Sequence, residues 1–330
     1  MIWVEFAVSA ILIVIAAIKL AEYGDVIAIR TRLGGLFIGT LLMAGATSLP
    51  ELLTSINAID QNVPNLMVGN IYGSSMFNMA LLGILGLIHR RSGILRRVAT
   101  THALTASLAI LLTGASIFFL EAKLGVTLGW LGVDSLVVIG IYLAGTNIIH
   151  QGNKGAAPPP EPSEQELEEL IPLSRAGFGF AIATLALVVI TPVLVSSSAG
   201  IAEETGISTG FVGVALVGIV TSLPEVVTTI AAARLGAVDL AVGNLFGSNV
   251  FNIFILGITD IFYLDGSFFE LISPVMSLSG MIALLMTTVA LIGNQARVHY
   301  RFLGVDSDAL IILVIYVLGL YFLYSEGLVG

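Results

Sequence analysis

Long apolar stretches, separated by short polar ones, run the length of the chain. A helix that crosses the hydrocarbon core of a bilayer needs about 20 mostly apolar residues. The pattern supplies ten such stretches, near residues 3–22, 33–58, 66–88, 98–119, 130–149, 176–198, 207–233, 240–262, 270–292 and 308–325. Between the fifth and the sixth lies QGNKGAAPPPEPSEQELEELIPLS, Pro-rich, acidic and too polar to insert. Its first half reads as a flexible linker and EQELEEL as a short surface helix. The pattern predicts an all-α integral membrane protein of ten transmembrane helices: one five-helix unit over 1–150, a linker over 151–174 and a second five-helix unit over 175–330. The first apolar run, Phe6 to Leu20, has neither a basic start nor a small-x-small cleavage site, so it is expected to span rather than to be removed as a leader.

Composition agrees with this reading and narrows the chemistry. The chain is 57% hydrophobic and only 11% charged, where a soluble domain carries about 25% charged residues. It has no cysteine, which removes disulfides, thiolate metal sites and cysteine nucleophiles. Its four histidines (His89, His102, His150, His299) are scattered and show no metal-ligand spacing, so a catalytic zinc is not expected. The formal charge of −9 comes largely from loops such as EPSEQELEE, and without a basic stripe no nucleic-acid partner is expected.

Of the thirteen Lys and Arg residues, twelve fall on one side of the ten-span arrangement and only Lys123 on the other. A missed or added span would mix these groups. Because basic residues in short loops favour the cytoplasm, the linker is expected to be cytoplasmic and both termini extracellular, in the plasma membrane.

The halves repeat. GTLLMAGATSLPELLTSI (39–56) aligns without gaps on GVALVGIVTSLPEVVTTI (213–230), and GNIYGSSMFNMALLGILGL (69–87) on GNLFGSNVFNIFILGITDI (243–261), both at an offset of 174 residues. Five spans per half is an odd number, so the second copy enters the membrane from the opposite side. The predicted fold is two inverted repeats about a pseudo-twofold axis in the membrane plane, as in many secondary transporters.

Within these segments, Thr47 and Ser48 lie four and three residues before Glu51, so on a helix the three share roughly one face. Pro50 removes a backbone N–H and crowds the carbonyl of Ala46, opening the hydrogen bonding at that turn. Freed carbonyls in a membrane need another partner, and a bound cation is one. Thr221, Ser222, Pro224 and Glu225 repeat the arrangement. In the spans that follow, Asn70, Ser74 and Asn78 form a polar stripe at four-residue spacing, matched by Asn244, Ser248 and Asn252. The neighbouring Gly69, Gly73, Gly243 and Gly247 permit close helix approach.

All of these groups are oxygen donors. They suit hard cations, and a ring of six or more flexible oxygens suits Ca²⁺ better than the smaller Mg²⁺. Taken singly, membrane-embedded Ser, Thr and Asn also serve as ordinary interhelical hydrogen-bond partners. Glu51 and Glu225 carry more weight: an ionisable residue at mid-membrane costs about 2.5–3.5 kcal/mol and is functional by default. No Lys or Arg lies in the second, third, seventh or eighth span cores to neutralise them, so a mobile cation or a proton is expected to do so. Glu5, Asp134, Glu203, Glu204 and Asp260 sit near predicted span ends, where solvation or interfacial placement is expected to account for them.

The duplicated TSLPE and GNxxGSxxFN segments at one fixed offset resemble the sodium/calcium exchanger family, across both halves and most of the chain. The resemblance implies ten helices, with spans 2, 3, 7 and 8 forming the ion site and spans 1 and 6 sliding across them for alternating access. It implies an antiporter, not an enzyme, with Ca²⁺ and Na⁺ as transported ions and no cofactor. Glu51 and Glu225 would bind Ca²⁺ and share Na⁺. Thr47, Ser48, Thr221, Ser222, Ser74, Ser248, Asn78 and Asn252 would complete the sites, together with backbone carbonyls near Ala44 and Gly218. Many family members carry Asp where Asn252 stands; here both matching positions are Asn, so the site has two formal negative charges. Ca²⁺ would make it neutral and three Na⁺ would leave it at +1, an electrogenic exchange.

Three other readings compete. A Ca²⁺/H⁺ antiporter of the same fold would load protons on the glutamates, but its members are expected to carry an Asn-type residue where the Thr-Ser pair stands. A passive channel would normally build its pore from several subunits, whereas one chain already closes this site and a monomer suffices. An intramembrane enzyme would need a Ser/His, Asp/Asp or HExxH arrangement, and the spans contain none.

Overall fold

The protein is described by a computed structural model, which covers residues 1–31, 45, 47–88, 99–152, 170–234, 236–295, 301–302 and 305–327. Its helices are α1 (Ile2–Thr31), α2 (Leu49–Asp60), α3 (Pro64–Ile88), α4 (Ala99–Ala122), α5 (Val133–Gly152), α6 (Leu173–Thr205), α7 (Thr209–Thr221), α8 (Leu223–Arg234), α9 (Val238–Thr259), α10 (Met276–Gln295) and α11 (Ser307–Gly327). Two antiparallel hairpins, β1 (Thr127–Leu128) with β2 (Leu131–Gly132) and β3 (Arg301–Phe302) with β4 (Val305–Asp306), precede α5 and α11.

Eight of the described helices are long and apolar enough to cross a membrane, and the bent pair α7–α8 makes a ninth. The second expected span is described only at its end, as α2, and the segment EQELEEL of the linker lies outside the described residues. Helix α1 runs nine residues past the expected span end at 22, through Asp25 and Arg30. Hydropathy stops at the lipid boundary, but backbone hydrogen bonding does not. Arg30 ties this polar extension to the start of α6, donating to the carbonyls of Ile171 (2.6 Å) and Leu170 (2.5 Å).

Elements recur at the offset found in the sequence. Helices α2 and α8 each have 12 residues and begin at Leu49 and Leu223; α3 and α9 begin at Pro64 and Val238. The hairpin partners Leu128↔Leu131 have their counterparts in Phe302↔Val305. The same local chemistry thus folds the same way twice.

Helices α3 and α9 form the centre, flanked by α4, α5, α10 and α11, while α1 and α6 pack along each other on the opposite side and meet α2, α7 and α8. The apolar core includes Leu66, Met67, Ile71, Tyr72, Leu245, Phe246, Ile253 and Leu256 on the two central helices. Outer faces are also apolar: Phe178, Ile182, Leu185, Val189 and Val193 on α6, and Val314, Val317, Tyr321 and Phe322 on α11, are exposed. Side chains of this kind on both the inside and the outside are what a bilayer solvent requires.

Where α3 crosses α7 the backbones nearly touch. A Cβ at Gly73 would stand 2.6 Å from the Val214 carbonyl oxygen, and one at Gly218 would stand 2.8 Å from the Ser74 nitrogen. Over Gly213–Val217 helix α7 loosens into a π-helical turn beside this contact; such turns often accompany functional sites.

Two of the acids assigned to span ends by solvation are not solvated. Asp134 and Asp260 are fully buried. Asp260 accepts from the backbone N–H groups of Gly132 and Phe268, both at 2.7 Å, and Asp134 from the Ser135 N–H and the Ser267 hydroxyl, both at 2.8 Å. Donors from β2, from the start of α5 and from the segment after α9 replace the water that would otherwise solvate these carboxylates, and together they staple the β1–β2 hairpin and α5 to that segment. Glu5, Glu203 and Glu204 are exposed, as expected.

Candidate functional site

The site begins at two matched breaks in the helical backbone. Ser48, just before α2, has φ −91° and ψ 11°; Ser222, between α7 and α8, has φ −88° and ψ 3°. Each break lies two residues before a proline, Pro50 or Pro224, whose ring and missing N–H interrupt the hydrogen-bond ladder. The chain resumes helix at once, with Leu52 N–H on Ser48 O (3.1 Å) and Val226 N–H on Ser222 O (3.2 Å). At the second break the two helical pieces meet at 44°. This geometry places Glu51 and Glu225 in the first turn of α2 and α8, with the Thr-Ser pairs immediately before them.

The two carboxylates, each 1% exposed, are wrapped by hydroxyls from both halves. Glu51 Oε1 accepts from Ser222 Oγ at 3.3 Å and from Ser74 Oγ at 3.5 Å. Glu225 Oε1 accepts from Ser48 Oγ at 3.3 Å and from Ser248 Oγ at 3.5 Å. Every contact in one sphere thus has a twin 174 residues away in the other, as at a twofold interface. Among the described residues, no Lys or Arg forms an ion pair with either carboxylate.

Gly218, Ser74 and Thr221 adjoin this pair. Gly218 presents its carbonyl to Ser74 Oγ at 3.2 Å, and Ser74 also meets Thr221 Oγ1 at 3.3 Å. Thr221 donates to Asn70 Oδ1 at 2.9 Å. Asn244, the repeat counterpart of Asn70, instead donates to Thr228 (3.0 Å) and Thr229 (3.2 Å) on α8. Ala44 lies outside the described residues.

Asn78 and Asn252 are buried one turn further along α3 and α9, where they bond not to the glutamates but to two residues that the polar stripe passed over. Asn78 Nδ2 donates to Asn249 Oδ1 at 3.0 Å, and Asn252 Nδ2 to Ser75 Oγ at 3.4 Å. Ser75 and Asn249 sit one residue off the four-residue stripe but occupy matching places in GNIYGSSMFN and GNLFGSNVFN. A polar residue at both copies of one buried position was the available signal.

Four buried acceptor oxygens here have no hydrogen-bond partner: Oε2 of Glu51, Oε2 of Glu225, Oδ1 of Asn78 and Oδ1 of Asn252. Buried polar atoms are nearly always paired. Carboxylate, amide and hydroxyl oxygens in this number form the donor set that a hard cation takes. Among the described residues there is no cluster of three or more His, Cys, Asp or Glu side chains, so the carboxylate pair with its neutral oxygens stands as the candidate cation centre.

An all-helical membrane bundle with broken helices and hydroxyl-ringed carboxylates at its centre is the build of an ion carrier. The chain belongs to the sodium/calcium exchanger family: the family model, described as sodium/calcium exchanger protein, matches residues 1–148 and 176–325. Over 261 residues it is 30% identical to the inner membrane protein YrbG of Escherichia coli K12, covering 76% of each chain. It is 29% identical over 261 residues to the sodium/calcium exchanger MaX1 of Methanosarcina acetivorans, covering 68% of this chain and 73% of that relative. The crystal structure of the H⁺/Ca²⁺ exchanger CAX superposes with a TM-score of 0.72 over 99% of this chain and 86% of that one; at 12% identity the likeness is one of fold. The protein is therefore a membrane transporter of this exchanger family.

Proposed function

We propose that the protein exchanges Ca²⁺ for Na⁺ by alternating access, as ten spans in two inverted five-helix repeats, in the plasma membrane with both termini outside and the 151–174 linker in the cytoplasm. The observation that carries the reading is the reciprocal pairing at the centre, Ser48 with Glu225 and Ser222 with Glu51, each at 3.3 Å. Two acids brought together by two copies of one segment, with no described cation from the protein on either, call for a partner that comes and goes.

Ca²⁺ would neutralise the pair, with Glu51, Glu225, Thr47, Thr221, Ser48, Ser222, Ser74, Ser248, Asn78, Asn252 and the carbonyl of Gly218 as its oxygen ligands. Na⁺ ions would compete for the same atoms. Because the two loads cannot occupy the site together, their fluxes are coupled, and the long helices α1 and α6 supply the surface that slides across the site. The test is Ca²⁺ uptake into proteoliposomes driven by an outward Na⁺ gradient at clamped pH, with Glu51→Gln and Glu225→Gln as controls. Uptake that persists unchanged in either variant overturns the assignment.

The likeness of fold to an H⁺/Ca²⁺ exchanger favours a second reading, in which protons replace Na⁺ on the same glutamates. A pH gradient at clamped Na⁺ that drives uptake, where the Na⁺ gradient does not, selects it.

A further inference from the structure

We propose that Ser75 and Asn249 are positioning residues that turn the amides of Asn78 and Asn252 into oxygen-only faces toward the ion. The inference rests on reading the glutamate centre as a cation site.

An asparagine amide offers two donors and one acceptor oxygen and can be turned either way round. Here two backbone carbonyls remove the choice. The Asn249 side chain donates through Nδ2 to the Ser75 backbone carbonyl at 3.2 Å. A carbonyl can only accept, so Asn249 must present Oδ1 on its other side, where Asn78 Nδ2 donates to it at 3.0 Å. Ser75 Oγ spends its single proton on the Ile71 carbonyl at 3.0 Å. It is left able only to accept, and Asn252 Nδ2 donates to it at 3.4 Å.

In both chains of bonds the NH₂ end is tied off, and the carbonyl end of Asn78 or Asn252 is left buried without a partner. All four side chains are at most 2% exposed. Positions 75 and 249 are repeat counterparts, yet one works through a hydroxyl and the other through an amide. A neutral amide locked with its oxygen outward ligates a cation without adding charge. One free to turn would present its NH₂, which repels the ion. Outer-shell partners of this kind typically carry 10–100-fold of a site's metal affinity.

Ca²⁺ binding to the purified full-length protein in detergent, measured with ⁴⁵Ca²⁺ at fixed pH and without Na⁺, tests this apart from any transport cycle. Ser75→Ala is expected to weaken binding about tenfold or more, and the loss should shrink to less than about twofold in an Asn252→Asp background. Either oxygen of a carboxylate is an acceptor, so it needs no orienting; a double-mutant cycle isolates that term. Asn249→Ala paired with Asn78→Asp gives the same test should Ser75→Ala not fold. An equal loss in both backgrounds means packing alone and overturns the proposal, as does unchanged affinity in the single variants. Glu51→Gln in the same assay separates the premises: undiminished binding there removes the cation centre itself, whereas its loss beside an unchanged Ser75→Ala removes only the positioning role.

Discussion

The carboxylate layer and the amide layer of the site lie about one helical turn apart, and they treat the internal repeat differently. Around Glu51 and Glu225 the repeat is kept bond for bond, with cross-half contacts of 3.3 Å and within-half contacts of 3.5 Å on both sides. Around Asn78 and Asn252 it is broken, because Ser75 holds one amide through its hydroxyl and Asn249 holds the other through its own amide. Electrostatics explains the difference. Each buried acid needs donors that steady its charged form, and both copies keep the same serine hydroxyls for it. A neutral ligand has only to present an oxygen, and any neighbour that binds the NH₂ will serve. Symmetry survives where charge enforces it and drifts where geometry alone is needed.

The largest effects should come from breaking the symmetric layer. Glu51→Gln and Glu225→Gln each remove half of the site's formal charge, and each is expected to abolish ion-gradient-driven Ca²⁺ uptake to background. Their residual Ca²⁺ affinities should agree within about threefold, the usual context scatter of single-site effects. A gap of a hundredfold would mean that the matched hydroxyl shells conceal unequal acids.

Next in size is the glycine contact that lets the halves interlock. In Gly218→Ala the new methyl would stand 2.8 Å from the Ser74 nitrogen, so α7 must move away from α3. Overpacking of this kind costs about 1–3 kcal/mol. A fall in melting temperature in detergent is expected, with weaker Ca²⁺ binding because the Gly218 carbonyl moves with the backbone. A variant as stable as the parent would show that α3 and α7 have slack that the structure does not display.

A charge added to the asymmetric layer should act on voltage more than on affinity. Under the proposed exchange, with three Na⁺ as the family resemblance implies, the site with its two formal charges would be neutral with Ca²⁺ and would carry +1 with Na⁺. In Asn252→Asp these become −1 and 0. Moving one charge through the field is worth about 2.3 kcal/mol per 100 mV. Voltage sensitivity is therefore expected to pass from the Na⁺ half-cycle to the Ca²⁺ half-cycle, as read from exchange currents in planar bilayers. Sensitivity that stays with Na⁺ breaks the charge count.

How much of this was legible in the sequence differs between the layers in the same way. TSLPE written twice announces the broken helices, and Glu51 and Glu225 stand out because an acid in an apolar run has no bland explanation. Asn78 and Asn252 followed from their four-residue spacing. Ser75 and Asn249 did not, since their role depends on how two helices from different halves face each other, and no periodicity along one helix encodes that. The hydropathy pattern also ended the first span at residue 22, before the polar Asp25 and Arg30, although the helix continues to Thr31, where Arg30 finds carbonyl partners at Leu170 and Ile171. Asp134 and Asp260 were misplaced for a related reason: a chain position near a span end says nothing about the backbone N–H groups of Gly132 and Phe268 that fold over it.

The smallest expected effect is the sharpest test of equivalence. Ser48→Ala and Ser222→Ala each remove one hydroxyl from a buried carboxylate of the other half, at the same 3.3 Å. A hydrogen bond to a charged group is worth about 1.5–3 kcal/mol, but here the loss is partly offset. The hydroxyl steadies the acid when the site is empty and lends a lone pair when the ion arrives, so its removal weakens both states. A net change of about 1 kcal/mol, or about fivefold in Ca²⁺ affinity, is expected for each. The informative measurement is the double variant. If each glutamate served a separate ion, the two losses would add, because the hydroxyls touch different carboxylates. If one Ca²⁺ bridges both, loss of the first hydroxyl lets the ion shift toward the intact side, and the second loss then costs more than it did alone, a coupling of at least about 0.5 kcal/mol. Strict additivity would divide the symmetric layer into two independent sites and remove the shared load on which the coupling of fluxes depends.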